Sequence, residues 1–267
     1  MLKALAFVKR DFRLEASYRF SFFLQLFGVL FSVFMFYYVS KLLGEAATPY
    51  LAPYGGDYFS FVLIGIAFAG YFGIGLSGFA SSIRQAQMTG TLEAMLMSPT
   101  SVSTIVLCSS FWSYLMTSLR VLAYLAVGAV FLGVDLGRGN YLAALLILVL
   151  TIVTFSSLGI IAASFIMVLK RGDPVTWLFS TLSSLLGGVY YPVSILPPWL
   201  QRLSYLLPIT YSLRAMRLAL LQGYPFSALI PDILVLAVFS LILLPLSLLA
   251  FRYAVHRAKV DGSLTHY

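Results

Sequence analysis

The amino-acid sequence predicts an all-α polytopic membrane protein with six transmembrane helices, and three observations carry that prediction. Of its 267 residues, 61% are hydrophobic and only 10% charged, whereas soluble domains carry about a quarter charged residues. The apolar residues come in long uninterrupted blocks, not at the spacing of a half-buried helix or strand. Several of those blocks reach the ~20 residues that a helix needs to cross a bilayer core. Spanning β-strands would need short alternating segments, and none occur. A backbone in lipid must satisfy its own hydrogen bonds, so the blocks read as helices.

The expected spans are the charge-poor intervals 20–40, 58–83, 104–132, 140–169, 174–201 and 233–251. Only 104–132 carries a charge, Arg120. The chain reads as a single membrane domain over 1–267, with no stretch left to build a soluble one. Cys108 is the only cysteine, so no internal disulfide is possible. The first long apolar block begins too late and runs too long for the core of a cleavable signal peptide.

Lys and Arg placement orients the spans. With the N-terminus inside, the inner side holds Lys3, Lys9, Arg10, Arg13, Arg19, Arg84, Lys170, Arg171, Arg252, Arg257 and Lys259. The outer side holds Lys41, Arg138, Arg202, Arg214 and Arg217. The excess places both termini in the cytoplasm, in a multi-pass protein of the plasma (inner) membrane. The +8 net charge is then a topology signal, and nucleic acid is not an expected partner.

Three segments are not simple spans. Residues 1–19 form an expected interfacial amphipathic helix. Leu5, Val8, Phe12 and Ala16 make one apolar stripe, and Phe7, Leu14 and Tyr18 a second, which suits a helix held between lipid and another protein surface. A charged topogenic leader is the alternative. Residues 84–98 make a short cytoplasmic stretch with high helix propensity after Gly90, ended by Ser98-Pro99. It is placed either to touch a cytoplasmic partner or to cap the bundle. Finally, Pro192, Pro197, Pro198 and Pro208 interrupt an otherwise apolar run. Proline breaks helices, so 191–207 reads as a re-entrant segment entering from the outer leaflet. Arg202, Arg214 and Arg217 would then reach the outer headgroups. Pro231-Asp232 reads as the start of the last helix.

These features together resemble the permease subunit of type-2 ABC transporters, the exporters that include daunorubicin-resistance and polysaccharide-export permeases. Gly90-Thr91-Leu92-Glu93 followed by Ser98-Pro99 is similar to the family's cytoplasmic loop motif. The run from Tyr191-Pro192 through Leu196-Pro197-Pro198-Trp199-Leu200 is similar to its pattern before the last span. So is Leu207-Pro208 through Arg214 and Arg217, with Leu207 where the family often has Asn.

The resemblance implies a dimer, homo- or heteromeric, of six-span subunits. It also implies a separate cytoplasmic nucleotide-binding subunit that binds ATP and Mg, with no cofactor, metal or catalytic group in this chain. Gly90, Thr91, Leu92 and Glu93 would couple to that ATPase. In a dimer, Tyr190, Tyr191 and Pro192 would approach the two-fold axis as an outer gate, or serve as interfacial anchors.

The residues themselves agree with an external energy source. None of the nine acidic residues lies deep in a span, where ion-driven transporters place them. No Gly-x-x-x-x-Gly-Lys-Ser/Thr loop is present. An enzyme reading fails because the inner-face acids are scattered, and Asp11 and Glu15 pair more simply with neighbouring Lys and Arg. Arg120, with Phe27 and Phe31 of the aromatic-rich first span, is a candidate for the substrate path. Arg120 would meet an anionic or polar substrate part, or else a hydrogen-bonding group on a neighbouring helix. The phenylalanines would line the path or pack on lipid or a second subunit. The glycines at 65, 70, 73, 75 and 78 are expected to allow close helix packing. The function expected is export of an amphipathic drug, lipid or lipid-linked glycan, with membrane lipids as partners. A partner-independent channel or assembly factor is the competing class.

Overall fold

The computed structural model describes residues 19–88, 102–169 and 174–260. All but Arg19 of the surface helix expected at 1–19, and the coupling residues Gly90, Thr91, Leu92 and Glu93, lie outside the described residues. The described chain is helical throughout. Its helices are α1 (Arg19–Leu51), α2 (Tyr58–Met88), α3 (Val102–Leu132), α4 (Tyr141–Leu169), α5 (Pro174–Leu186), α6 (Pro198–Ser204), α7 (Pro208–Leu221) and α8 (Phe226–Val260). Single 3-10 turns occupy Ala52–Tyr54 and Val193–Ile195.

Five of these helices, α1, α2, α3, α4 and α8, are long and apolar enough to cross a membrane. The chain is therefore a multi-pass membrane protein. The expected span at 174–201 is not one helix. α5 has 13 residues, about 20 Å at 1.5 Å per residue against a core of roughly 30 Å. It ends where Gly188 takes a φ of +74°, a left-handed backbone that favours glycine. Beyond it, Pro192, Pro197 and Pro198 prevent the helix from resuming for more than short turns.

The last helix also differs from expectation. α8 begins at Phe226, not after Pro231-Asp232, and carries Pro231 and Pro245 inside it. Asp232 is consequently a buried residue one turn and more into the helix, not a cap.

α2 and α4 form the centre of the bundle, with 67% and 50% of their span residues buried. α1, α3 and α8 are buried over only 17–22%. Small residues set the α2–α4 approach. A methyl group added at Gly159 would collide with the carbonyl of Gly75, and one at Gly75 with Phe155. Helices in lipid gain little from apolar burial and rely on such close packing and on interhelical hydrogen bonds. Hydroxyl pairs supply the bonds: Thr154 with Ser240 at 2.8 Å, Thr151 with Ser212 at 2.6 Å, and Tyr71 with Ser118 at 2.7 Å.

Three connections meet at one end of the bundle. Asn140 donates its backbone N–H to Ala219 and its side-chain amide to Tyr224, while Gly55 packs on Gln222 and Gly223 on Arg138. This loop end fixes the direction of α7. Its last turn lies at the loops, whereas Ser212 meets Thr151, ten residues into α4 and so about 15 Å below. α7 thus starts near mid-bundle and climbs to the loop end. It is almost wholly buried from Pro208 to Leu220. The chain between α5 and α7 closes on itself: Gln201 donates to Leu196, and Thr210 to Ser204.

Candidate functional site

α7 carries two arginines, Arg214 and Arg217, three residues apart and therefore on one face. Apolar neighbours along the same helix force that face inward, so both guanidinium groups must find partners in the protein. They solve the problem differently. Arg214 binds Asp232 of α8, with Nε 3.0 Å from both carboxylate oxygens and Nη2 also donating. Its guanidinium also sits 5.5 Å from the Tyr211 ring.

Arg217 is 2% exposed and has no carboxylate partner among the described residues. Its Nε donates to the Phe61 carbonyl and its Nη2 to the Val189 carbonyl, each at 3.0 Å. The guanidinium carbon lies over the Phe61 ring, 3.4 Å from the centroid. Gly65 makes room for this arrangement, since any side chain there would strike the Val189 carbonyl and Arg217 itself. Of the three arginines expected to reach headgroups, Arg202 is exposed on α6, whereas Arg214 and Arg217 turn to partners within the protein.

The two arginines line a cleft of about 150 Å³ at the loop end, walled by Tyr54, Phe61, Gly188, Pro192, Ser194 and Tyr205. Burial pushes the Tyr54 phenol above its ordinary range, so it remains a neutral hydroxyl at physiological pH.

Of the expected gate residues, only Pro192 lines this cleft. Pro192 is buried in its wall. Tyr190 stacks on Phe36 of α1, with centroids 5.7 Å apart and 16° between planes, and its carbonyl accepts from Tyr58 at 3.1 Å. The Tyr191 hydroxyl donates to the Leu185 carbonyl at the end of α5. Tyr190 also lines a second cavity of about 180 Å³, with Phe72, Phe155, Ser180, Ser183 and Ile209.

Arg120 stands apart from both. Its Nη2 donates to Gln25 Oε1 of α1 at 2.6 Å, beside a small recess formed by Leu26, Val29, Met116 and Leu119. Phe27 and Phe31 are 65% and 63% exposed on α1, and neither lines that recess or the cleft. The structure therefore does not bring the three expected substrate-path residues together.

Sequence reasoning missed the Arg214–Asp232 pair and the Gln25 partner of Arg120. The second had a signal, because Gln25 is the only amide in the 20–40 block and a charge at that depth needs a polar partner. The first had none, since 18 residues and a helix boundary separate the pair.

The described residues thus form a bundle of long apolar helices with a polar cleft and a broken helix. The chain belongs to the ABC-2 type transporter family, whose model matches residues 4–221. That match takes in every element from α1 to α7 and stops before α8. The family is a transporter permease and not itself catalytic. No curated protein matches the chain.

Proposed function

We propose that this chain is the transmembrane subunit of an ATP-driven exporter that moves an amphipathic substrate outward. The observation that carries the reading is the family match over residues 4–221, on a bundle whose exposed faces are almost entirely apolar. ATP and Mg would be bound by a separate cytoplasmic subunit docked on Gly90, Thr91, Leu92 and Glu93, and a second permease copy would complete the pathway. The loop end would face outward. The segment 191–207 would then be re-entrant, with Tyr190, Tyr191 and Pro192 beside the gate. The closure of this segment on itself, with Pro192, Ser204 and Leu207 buried, supports this, because irregular backbone at membrane depth is tolerated where protein groups satisfy it.

Two experiments test the reading. Co-purification should recover a nucleotide-binding protein whose ATPase activity rises on assembly. Leu92→Asp and Glu93→Lys should each lower that activity without affecting membrane insertion; full activity and assembly in both variants would move the coupling site elsewhere. For orientation, cysteines replacing Asp135 and Gln222, both exposed at the loop end, should react with an impermeant reagent from outside, and one replacing Ser263 only from inside. The reverse pattern would invert the transport direction argued here.

A further inference from the structure

We propose that the loop-end cleft beside α7 is a binding site for a singly charged anionic group of the phosphate or carboxylate type, held by Arg217. Arg217 is 2% exposed, yet its partners are two neutral carbonyls. Arg214 is balanced by Asp232. The cleft therefore holds one uncompensated positive charge among the described residues, where a lone buried charge is costly.

The guanidinium keeps unused donors on the cleft side. Nε and one hydrogen of Nη2 go to the carbonyls, whereas Nη1 makes no hydrogen bond among the described residues. Nη1 lies 4.0 Å from where a Cβ on Gly188 would stand, and Gly188 and Arg217 both line the cleft. Nη1 and the second Nη2 hydrogen form the planar fork that accepts a carboxylate or phosphate edge.

Further groups suit the same ligand. The hydroxyls of Tyr54, Ser194 and Tyr205 line the cleft and make no hydrogen bond among the described residues. The volume of about 150 Å³ has room for a group several waters in size. The Asp232 carboxylate is occupied by Arg214 and adds no free negative charge.

The anion can come from a lipid headgroup or from solution, and the inference does not rest on the transport reading. The test uses the full chain in phosphatidylcholine nanodiscs without any ATPase partner. Binding of phosphatidic acid is read by native mass spectrometry, and binding of inorganic phosphate by calorimetry. The wild type should bind at least one of them, with Arg217→Gln weakening it tenfold or more. Because Arg217 also braces two carbonyls, that variant could fail to fold. Ser194→Asp is then decisive: it places a carboxylate on the exposed rim, leaves the Arg217 bonds intact, and should weaken binding by a similar factor. Phosphatidic acid binding alone identifies a lipid headgroup as the source; phosphate binding that competes with the lipid identifies a free anion. Binding of neither probe, or undiminished binding in a folded Ser194→Asp variant, overturns the inference. Such a failure would leave the transport reading untouched.

Discussion

The α1–α3 side of the bundle and its α2–α4–α7 side handle polar groups in opposite ways. On the first, helices of 33 and 31 residues bury little: Val29 and Val33 of α1 pack on Phe59 and Leu63 of α2, with Ala123, Tyr124 and Val127 of α3 only partly buried beside them. Arg120, the charge within the α3 span, is met by one neutral amide. On the second, backbones touch at Gly75 and Gly159, hydroxyls pair across helices, and α7 brings two guanidinium groups inside. Lipid rewards no apolar contact over another, so a side that must be specific needs small residues and hydrogen bonds. The sparse side remains available to lipid or a second subunit. The dense side holds the broken segment in place.

That contrast can be broken most strongly at the α2–α4 contact. Gly159→Val should cost about 3 kcal/mol, the upper range for overpacking, because the clash is with backbone that has nowhere to move. Unfolding by a denaturing detergent, followed by loss of helical signal, would measure it; a cost below about 1 kcal/mol would show that the two helices are not locked there.

Next comes the ion pair. Arg214→Ala leaves Asp232, 4% exposed, without its partner. We expect a loss of about 2 kcal/mol, below the 3–5 kcal/mol of a fully buried pair because Arg214 is partly exposed. Arg214→Ala combined with Asp232→Asn should recover much of it. Failure of the second change to rescue stability would mean that Arg214 acts through Tyr211 and the cleft and not through Asp232.

The sparse side should respond least. Gln25→Leu removes the amide partner of Arg120, and interhelical hydrogen bonds in membranes average roughly 0.6 kcal/mol with a maximum near 1.7. A double-mutant cycle with Arg120→Met should give a coupling near 1 kcal/mol. A coupling of several kcal/mol would place Arg120 in a tightly packed site and erase the difference between the two sides.

Much of this architecture was written in residue order. Five of the six expected spans match helices because a run of apolar residues in lipid has no other way to satisfy its backbone, and the proline-rich stretch announced its own breaks. The expectation of close helix packing holds at Gly75, which meets the α4 backbone, but not at Gly73, which has open space beside it, and Gly65 instead makes room for the Val189 carbonyl and Arg217. The span expected at 174–201 was misread because absence of charge says nothing about where a helix stops. Gly188 and Pro192 do.

By itself, then, the sequence determined the class of protein, the approximate limits of its long helices and the place where one of them fails. Those properties follow from local backbone chemistry and from the cost of exposing polar groups to lipid. Only the tertiary structure decided that Arg214 meets Asp232, that Arg120 meets Gln25, and that Arg217 lies beneath Gly188 with one nitrogen unused. Each of those is a meeting of side chains from separate helices. It depends on the rotation and depth of α7 against α2, α4 and α8, quantities that no periodicity in this chain encodes.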